Sequence, residues 1–200
     1  EQKNEEMLRK KNKLERNIEI LSQLSTSEAM LEGNWQDLGS QISTSVVMAL
    51  EVDVCQIWYY NFKEDNFYQL YQNTQDEKHT QPFHVLTAAQ APTFLQSLQE
   101  QAHLLIADIK SSSLDDTTKQ YIAQRHAQAH SLAIFPCILS QKQKLLITCF
   151  HHEPKVWELE DITFLKSVKD EMSIAYQAFK RKQAQQRIEK QNDDITASIN

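Results

Sequence analysis

The chain has 200 residues, 40% of them hydrophobic, which is enough to bury the core of one ordinary domain, and its 21 Lys and Arg against 27 Asp and Glu give a net charge of −6 that argues against a generic polyanion binder such as a nucleic-acid protein. No apolar run approaches the roughly 18 residues of a membrane span, and Glu1-Gln2-Lys3-Asn4-Glu5-Glu6 is unlike a signal peptide, so no membrane contact is expected from this segment and the cytoplasm is the expected compartment. There are only two glycines and four prolines, and the prolines all fall between Pro82 and Pro154, which leaves both ends free to form long helices.

From Glu1 to Glu32, the apolar residues Met7, Leu8, Leu14, Ile18, Leu21, Leu24 and Leu31 fall mostly on three- and four-residue steps, one helical stripe amid dense charge. That stripe is too narrow for a monomer's core helix and predicts a partner helix. A helix of roughly 30 residues is about 45 Å long, so its first half is expected to project from the domain. Gly33-Asn34 breaks the pattern, and Trp35, Leu38, Ile42, Val46, Val47 and Leu50 mark a second helix. Val54 to Tyr60 is dense in β-branched and aromatic residues and ends in a turn-prone stretch, Asn61 to Asn66, with Phe67 to Tyr71 as its hairpin partner.

A short strand is expected at Phe83-His84-Val85, then a helix from Pro92 carrying Phe94, Leu95 and Leu98, then a short buried strand from His103 to Asp108. Ser113 or Asp115 is placed to cap a helix over 116–128 with Tyr121 and Ile122 inward. Leu132 to Leu139 and Leu145 to Phe150 flank a polar loop, a hairpin with both faces buried near the centre of a sheet, in which Pro136 predicts a bulge or other strand irregularity. After Pro154 a long helix runs through Leu159, Ile162, Leu165, Val168, Met172, Ala175 and Phe179, and Ala184, Ile188, Ile195 and Ile199 extend it more thinly after a phase slip near Lys182. The sum is an α+β architecture, an antiparallel sheet of five to six strands with a helix leading in and a helix leading out. It divides into a coiled-coil lead over 1–32, a compact domain over 33–178 and a linker helix over 179–200.

Several stretches, taken in order over residues 25–180, resemble the GAF family of small-molecule sensory domains. They are the helix preceding Val54 to Tyr60; Leu104-Leu105-Ile106-Ala107-Asp108 as a short strand ending in Asp; Ser131 to Leu139 as an apolar strand with an internal Pro; and Trp157 to Ile162 leading into Phe164-Leu165 and Met172 to Tyr176. The resemblance implies a GAF-like sheet with helices on its faces and a sensory, regulatory role. Of the asparagine, lysine, phenylalanine, aspartate and glutamate signature of cyclic-nucleotide-binding members only Trp157 and Asp161 echo the end, which argues against cyclic GMP or AMP; no cysteine stands where phytochromes attach bilin. Ile188 to Asn200 resembles the linker helix that leads into a sporulation-type serine phosphatase in bacterial signalling proteins, and implies an output domain after Asn200 in the same chain. A histidine kinase or cyclase output uses a similar helix.

Trp58, Tyr60, Phe83, His84, Tyr121 and Phe135 are candidates to line a ligand pocket, the competing reading being plain core. Asp108, at a strand end, either orients a ligand or caps the turn at Ser111 and Ser112. Cys55, Cys137 and Cys149 sit in apolar runs, as reduced core thiols do, unlike the clustered cysteines of the GAF-like enzymes that reduce free methionine sulfoxide. His126 and His130, four apart on an expected helix, lack an evident third ligand and read as surface histidines rather than a metal site. Lys180-Arg181-Lys182 and Arg187 read as the solvated face of a coiled coil. The dimer helices are expected to meet through Met7, Leu14, Ile18 and Leu21 at one end and Met172, Ala175, Phe179 and Ile188 at the other. The leading expectation is therefore a non-catalytic homodimeric sensor, relaying an unidentified small-molecule or redox signal to a downstream output domain, with no cofactor specified. The alternatives are a cysteine-dependent free methionine sulfoxide reductase and a purely structural dimerisation module whose cavity is filled by its own side chains.

Overall fold

Alternation along two strands sets the layering. In β1 (Val54–Asn61) Cys55 and Ile57 join one hydrophobic cluster while Val54 and Trp58 join another, and in β6 (Lys144–His151) Ile147 and Cys149 separate from Leu146 and Phe150 in the same way. The computed structural model describes residues 2–75 and 84–199 and places these two strands at the centre of a six-stranded antiparallel sheet. The strand order is β3-β2-β1-β6-β5-β4, with β2 at Asn66–Thr74, β3 at Val85–Thr87, β4 at Leu104–Ile106 and β5 at Ser131–Ile138. Helices α1 (Gln2–Ser25), α2 (Glu28–Glu32), α3 (Trp35–Leu50) and α6 (Leu159–Ile199) share the cluster on one face. Helices α4 (Pro92–Glu100) and α5 (Asp116–Arg125) cover the other. The α+β architecture and the doubly buried β5–β6 hairpin stand as the hydrophobic pattern predicted them.

Several details differ. The leading helix breaks at Thr26 and Ser27, where the Ser27 hydroxyl accepts the Met30 N–H at 3.2 Å and starts α2. The second half of α1 packs into the domain, with Ile20 and Leu24 buried in the core together with Ala29 and Met30 of α2. Pro136 makes no bulge, since the β5–β6 register runs unshifted through Pro136 and Leu146; β4 reaches only as far as Ile134, so the outer edge of β5 is open at Pro136 and tolerates a residue without an N–H. The bulge lies instead in β2, where Ile57 faces Tyr71 and Trp58 faces Gln69, leaving Leu70 as the extra residue. Helix α5 ends at Arg125, so His126 is its C-cap and His130 lies beyond it; the two do not share a helical face. The exit helix does continue past Lys182 as the extended pattern predicted, with α6 running from Leu159 to Ile199. No helix among the described residues is long and apolar enough to cross a membrane.

Both glycines are required by close approaches. Gly33 caps α2 at φ +64°, and a Cβ there would lie 2.6 Å from the backbone nitrogen of Phe179, so α2 and α6 meet backbone to backbone. Gly39, inside α3, gives way to the Tyr71 ring, which a Cβ would approach to 2.1 Å. That ring is pinned, because its hydroxyl donates to the Trp35 carbonyl at 2.7 Å. Gly39→Ala is therefore expected to lower stability by about 1–3 kcal/mol in urea unfolding. In a Tyr71→Ala background, where the obstructing ring is gone, the same substitution should be clearly less damaging.

Candidate functional site

The sheet face under α4 and α5 is apolar except for one polar line. The fully buried Trp58 donates from Nε1 to Thr148 Oγ1 at 3.0 Å, and the Thr148 hydroxyl donates to Gln56 Oε1 at 3.3 Å. Gln56 Nε2 then donates to Gln69 Oε1 at 3.2 Å and to Gln72 Oε1 at 2.8 Å. A lone Gln in Val54-Cys55-Gln56-Ile57-Trp58 and a lone Thr in Leu145 to Phe150 were the signal for this line, because a polar side chain inside a buried strand needs a partner across the ladder. The sequence reading did not single either out.

Over this floor lies a cluster of rings. His84 stacks on Tyr121 with centroids 6.2 Å apart and planes 4° from parallel, and meets Trp58 edge-on at 6.2 Å. Phe94 touches both Tyr121 and Phe67 edge-on. The Tyr121 hydroxyl is buried and has no hydrogen-bond partner among the described residues, and burial pushes its pKa up. His126 stacks on Phe150 at 4.1 Å, and burial, helped by His84 and Arg125, pushes its pKa down to about 4. Burial and Arg125 lower that of His84 as well.

Of the predicted pocket residues, Trp58, His84 and Tyr121 are thus brought together and Tyr60 packs at the margin of the same cluster, while Phe135 and Asp108 stand apart from it. Phe135 belongs to the opposite face of the sheet, stacked on His103 at 5.0 Å, because it follows Ile134 by one residue and side chains alternate. Tyr60 rests its ring on Phe67 at 5.0 Å but uses its hydroxyl to close the β1–β2 turn, donating to Asp65 Oδ1 at 2.5 Å. Asp108 caps a turn, accepting the Lys110 N–H at 3.1 Å and the Ser111 hydroxyl at 3.1 Å. Phe83 lies outside the described residues. A cavity of about 430 Å³ opens at the end of the sheet, where Asp53, Gln72, Arg125, His126, Phe150 and His152 meet, and none of the predicted pocket residues among the described ones lines it. Asp53 accepts the His152 N–H at 2.7 Å and lies 2.7 Å from His151 Nδ1.

The thiols lie inside the sheet's core. Cys55 faces Cys149 across the β1–β6 ladder, and all three cysteines are free and buried. Hydrogen bonding with the neighbouring Cys149 thiol together with burial raises the Cys55 pKa well above the usual thiol value, and burial pushes Cys137 up to about 12. Among the described residues no group of three His, Cys, Asp or Glu side chains is placed to hold a metal. The expected surface setting of His126 is likewise corrected: its ring is packed on Phe150.

A junction connects this side of the sheet to the flanking helices. Trp157 Nε1 donates to the Ile106 carbonyl at 3.0 Å and the Lys155 N–H donates to the Ala107 carbonyl at 3.1 Å, tying the end of β4 to the start of α6. The fully buried Asp161 accepts the Glu158 N–H at 3.0 Å and pairs with Lys13 of α1 at 2.8 Å. Lys13 also bonds Glu158 at 3.1 Å, and Arg9 bonds Glu158 at 2.7 Å. Burial opposes these charges, yet Asp161 and Glu158 hold the Lys13 ammonium up, and Lys13 and Arg9 hold the Glu158 carboxyl down.

Of the predicted dimer residues, Met172 and Ala175 are buried in the chain's own core, because α6 lies along the sheet as far as Tyr176, and are not available to a partner helix. Phe179 is half-buried, edge-on to Trp35 at 6.4 Å, and Leu21 packs on the core margin. Met7, Leu14, Ile18 and Ile188 are exposed.

The half-buried His126 gives an acid signature. Its folded pKa lies below its ordinary 6.5, so the unfolded chain binds the extra proton first, and the stabilisation is complete above pH 6.5 and lost as the pH falls toward 4. Between pH 7 and pH 4.5 the wild type should lose about 2 kcal/mol more than His126→Phe, measured by urea unfolding at each pH.

No family model matches the sequence, and no curated protein matches it. Solved structures do match. The GAF domain of a phosphoenolpyruvate-protein phosphotransferase from Coxiella burnetii is 11% identical, with a TM-score of 0.66 over 86% of this chain and 97% of that one. A phycocyanobilin-bound GAF domain of a cyanobacterial phytochrome is also 11% identical, with a TM-score of 0.66 over 82% and 94%. The free methionine-R-sulfoxide reductase of Neisseria meningitidis, solved with its substrate, is 7% identical with a TM-score of 0.62 over 82% and 88%. With its six-stranded antiparallel sheet between two helical layers, this chain has the GAF fold.

Proposed function

We propose that this chain is a non-catalytic sensory and regulatory module of a cytoplasmic bacterial signalling protein. It dimerises through its flanking helices and relays the state of its α4–α5 face to an output domain beyond Asn200, such as a serine phosphatase. The observation that carries the reading is the junction: Ile106, on the ring-covered side, and the adjoining Ala107 bond directly to Trp157 and Lys155, and four residues after Trp157 Asp161 holds α1 through Lys13. A ligand that moves the end of β4 therefore bears on both flanking helices at once. Only a few kcal/mol of differential affinity between two packings is needed to shift such an equilibrium. The ligand side offers two features of a small-molecule site, the cavity beside His126 and the Tyr121 hydroxyl, which has no hydrogen-bond partner among the described residues.

The reductase alternative rests on fold likeness alone, and it is opposed by the burial of all three thiols and by the raised pKa values of Cys55 and Cys137, since the thiolate is the nucleophile. Turnover of free methionine sulfoxide that disappears in Cys137→Ser would nevertheless replace the sensor reading.

Native mass spectrometry of protein purified from cells should show a mass excess of one small molecule per chain. A bare mass under every growth condition would favour the structural module instead. Leu14→Asp/Ile18→Asp, at two positions 46% and 58% exposed, should leave the domain folded and convert a dimer to a monomer by light scattering. A dimer that survives both charges would rule out α1 as the contact.

A further inference from the structure

Helix α1 is docked with a polar seam inward and an apolar row outward. Lys13 and Asn17 are buried on its inner face, while Met7, Leu14 and Ile18 are 63%, 46% and 58% exposed. Leu21 continues the outer row at the core margin. An exposed row of this kind needs another helix, and the charges beside it select which one and in which direction.

We infer that the outer row of α1 pairs with the α1 of a second copy, parallel and in register. The inference rests on the dimeric reading above and adds its direction and alignment. In that alignment Met7, Leu14 and Leu21 stand at one core position of the heptad and Lys11 and Ile18 at the other, so each of the four apolar residues meets its own counterpart. Lys10 then flanks the seam five residues before the partner's Glu15, and the two-fold axis makes this attraction twice. Both side chains are free to turn toward a partner, since each now reaches only along its own helix, Lys10 to Glu6 at 3.1 Å and Glu15 to Lys11 at 3.8 Å. The antiparallel alignment centred between Leu14 and Ile18 serves the row less well. It sets Leu14 against the partner's Ile18, leaves Met7 opposite Ser25 and Leu21 opposite Lys11, and brings the two Glu15 carboxylates together.

The direction has a consequence for the exit helices. Within one chain α1 and α6 run the same way, because Arg9 and Lys13 lie beside Glu158 and Asp161 while Gly33 lies beside Phe179. A parallel α1 pair therefore sends both α6 extensions out at the same end of the dimer, where Ile188 and Ile195 are exposed.

Cysteine cross-linking of the full 200-residue chain tests the alignment, with the three native thiols as a silent background because they are buried. Under copper–phenanthroline and air, Leu14→Cys should link to a covalent dimer on non-reducing gels, and the wild type should not. Met7→Cys, in the same row, reads the same register should Leu14→Cys weaken association. Lys10→Glu should raise the dimer Kd about three- to tenfold at low salt, and Lys10→Glu/Glu15→Lys should restore it. A dimer in which Leu14→Cys chains link only to Ile18→Cys chains, and not to one another, would overturn the parallel alignment and leave the dimer standing. A monomer at all concentrations would overturn both.

Discussion

Both faces of β1 and β6 are buried, and this forces every residue on the two strands into one of two different interiors. On the helical-lead side the interior is aliphatic and sulfurous, with Cys55, Ile57, Ile147 and Cys149 under α3 and α6. On the α4–α5 side it is aromatic and holds a polar line from Trp58 through Thr148 to Gln56. A shift of register by one residue would exchange the two, placing Gln56 among aliphatic side chains with no partner. The β1–β6 pairing is therefore the constraint on which the rest depends, since it keeps the hydrogen-bonding groups of Gln56 and Thr148 on the α4–α5 side and away from the aliphatic interior under α3 and α6.

Among the described residues, a direct bonded connection between the two sides runs round the edge of the sheet, at the β4 end. There Trp157 bonds Ile106 and Asp161 bonds Lys13 within a few residues of one another. Removing one member of a buried charge pair leaves the other uncompensated, at several times the cost of losing an exposed pair. Asp161 is fully buried and Lys13 is 9% exposed, so the docking of α1 is sensitive to small changes at the start of α6. Asn17, one turn further along α1, adds nothing to hold the seam, for neither its Oδ1 nor its Nδ2 has a partner among the described residues. The first half of α1 is thus fastened at one charged point rather than along an apolar face.

What was legible in the sequence follows from how locally each feature is encoded. The helices from Trp35, Pro92 and Leu159 and the strands at Val54 and Leu145 are written in periodicity and capping residues, and they lie where those signals put them. Asp115 caps α5 through the Thr118 N–H at 2.7 Å, one of the two caps expected. The pocket was less legible, because strand alternation is read only after a register is known. Phe135 was grouped with Trp58 on aromatic character although the two belong to opposite faces. The role of α1 was half legible: its exposed row was read correctly as a stripe, but the inner face is carried by Lys13 and Asn17, residue types that apolar periodicity passes over.

That inner face bears on why the helix presents its apolar row at all. Had positions 13 and 17 been leucines, α1 would have had a broad apolar arc reaching from Leu24 round to Ile18, and burying the whole arc on its own α6 would have been favourable by roughly 25 cal/mol for every Å² covered. Lys13 prevents this by being satisfied in only one place, between Asp161 and Glu158. The ion pair fixes the rotation of α1 about its own axis, and with it the direction in which Met7, Leu14 and Ile18 point. A buried charge that contributes little net stability can still select one packing among several. In this chain the packing selected is the one that leaves a hydrophobic seam on the outside.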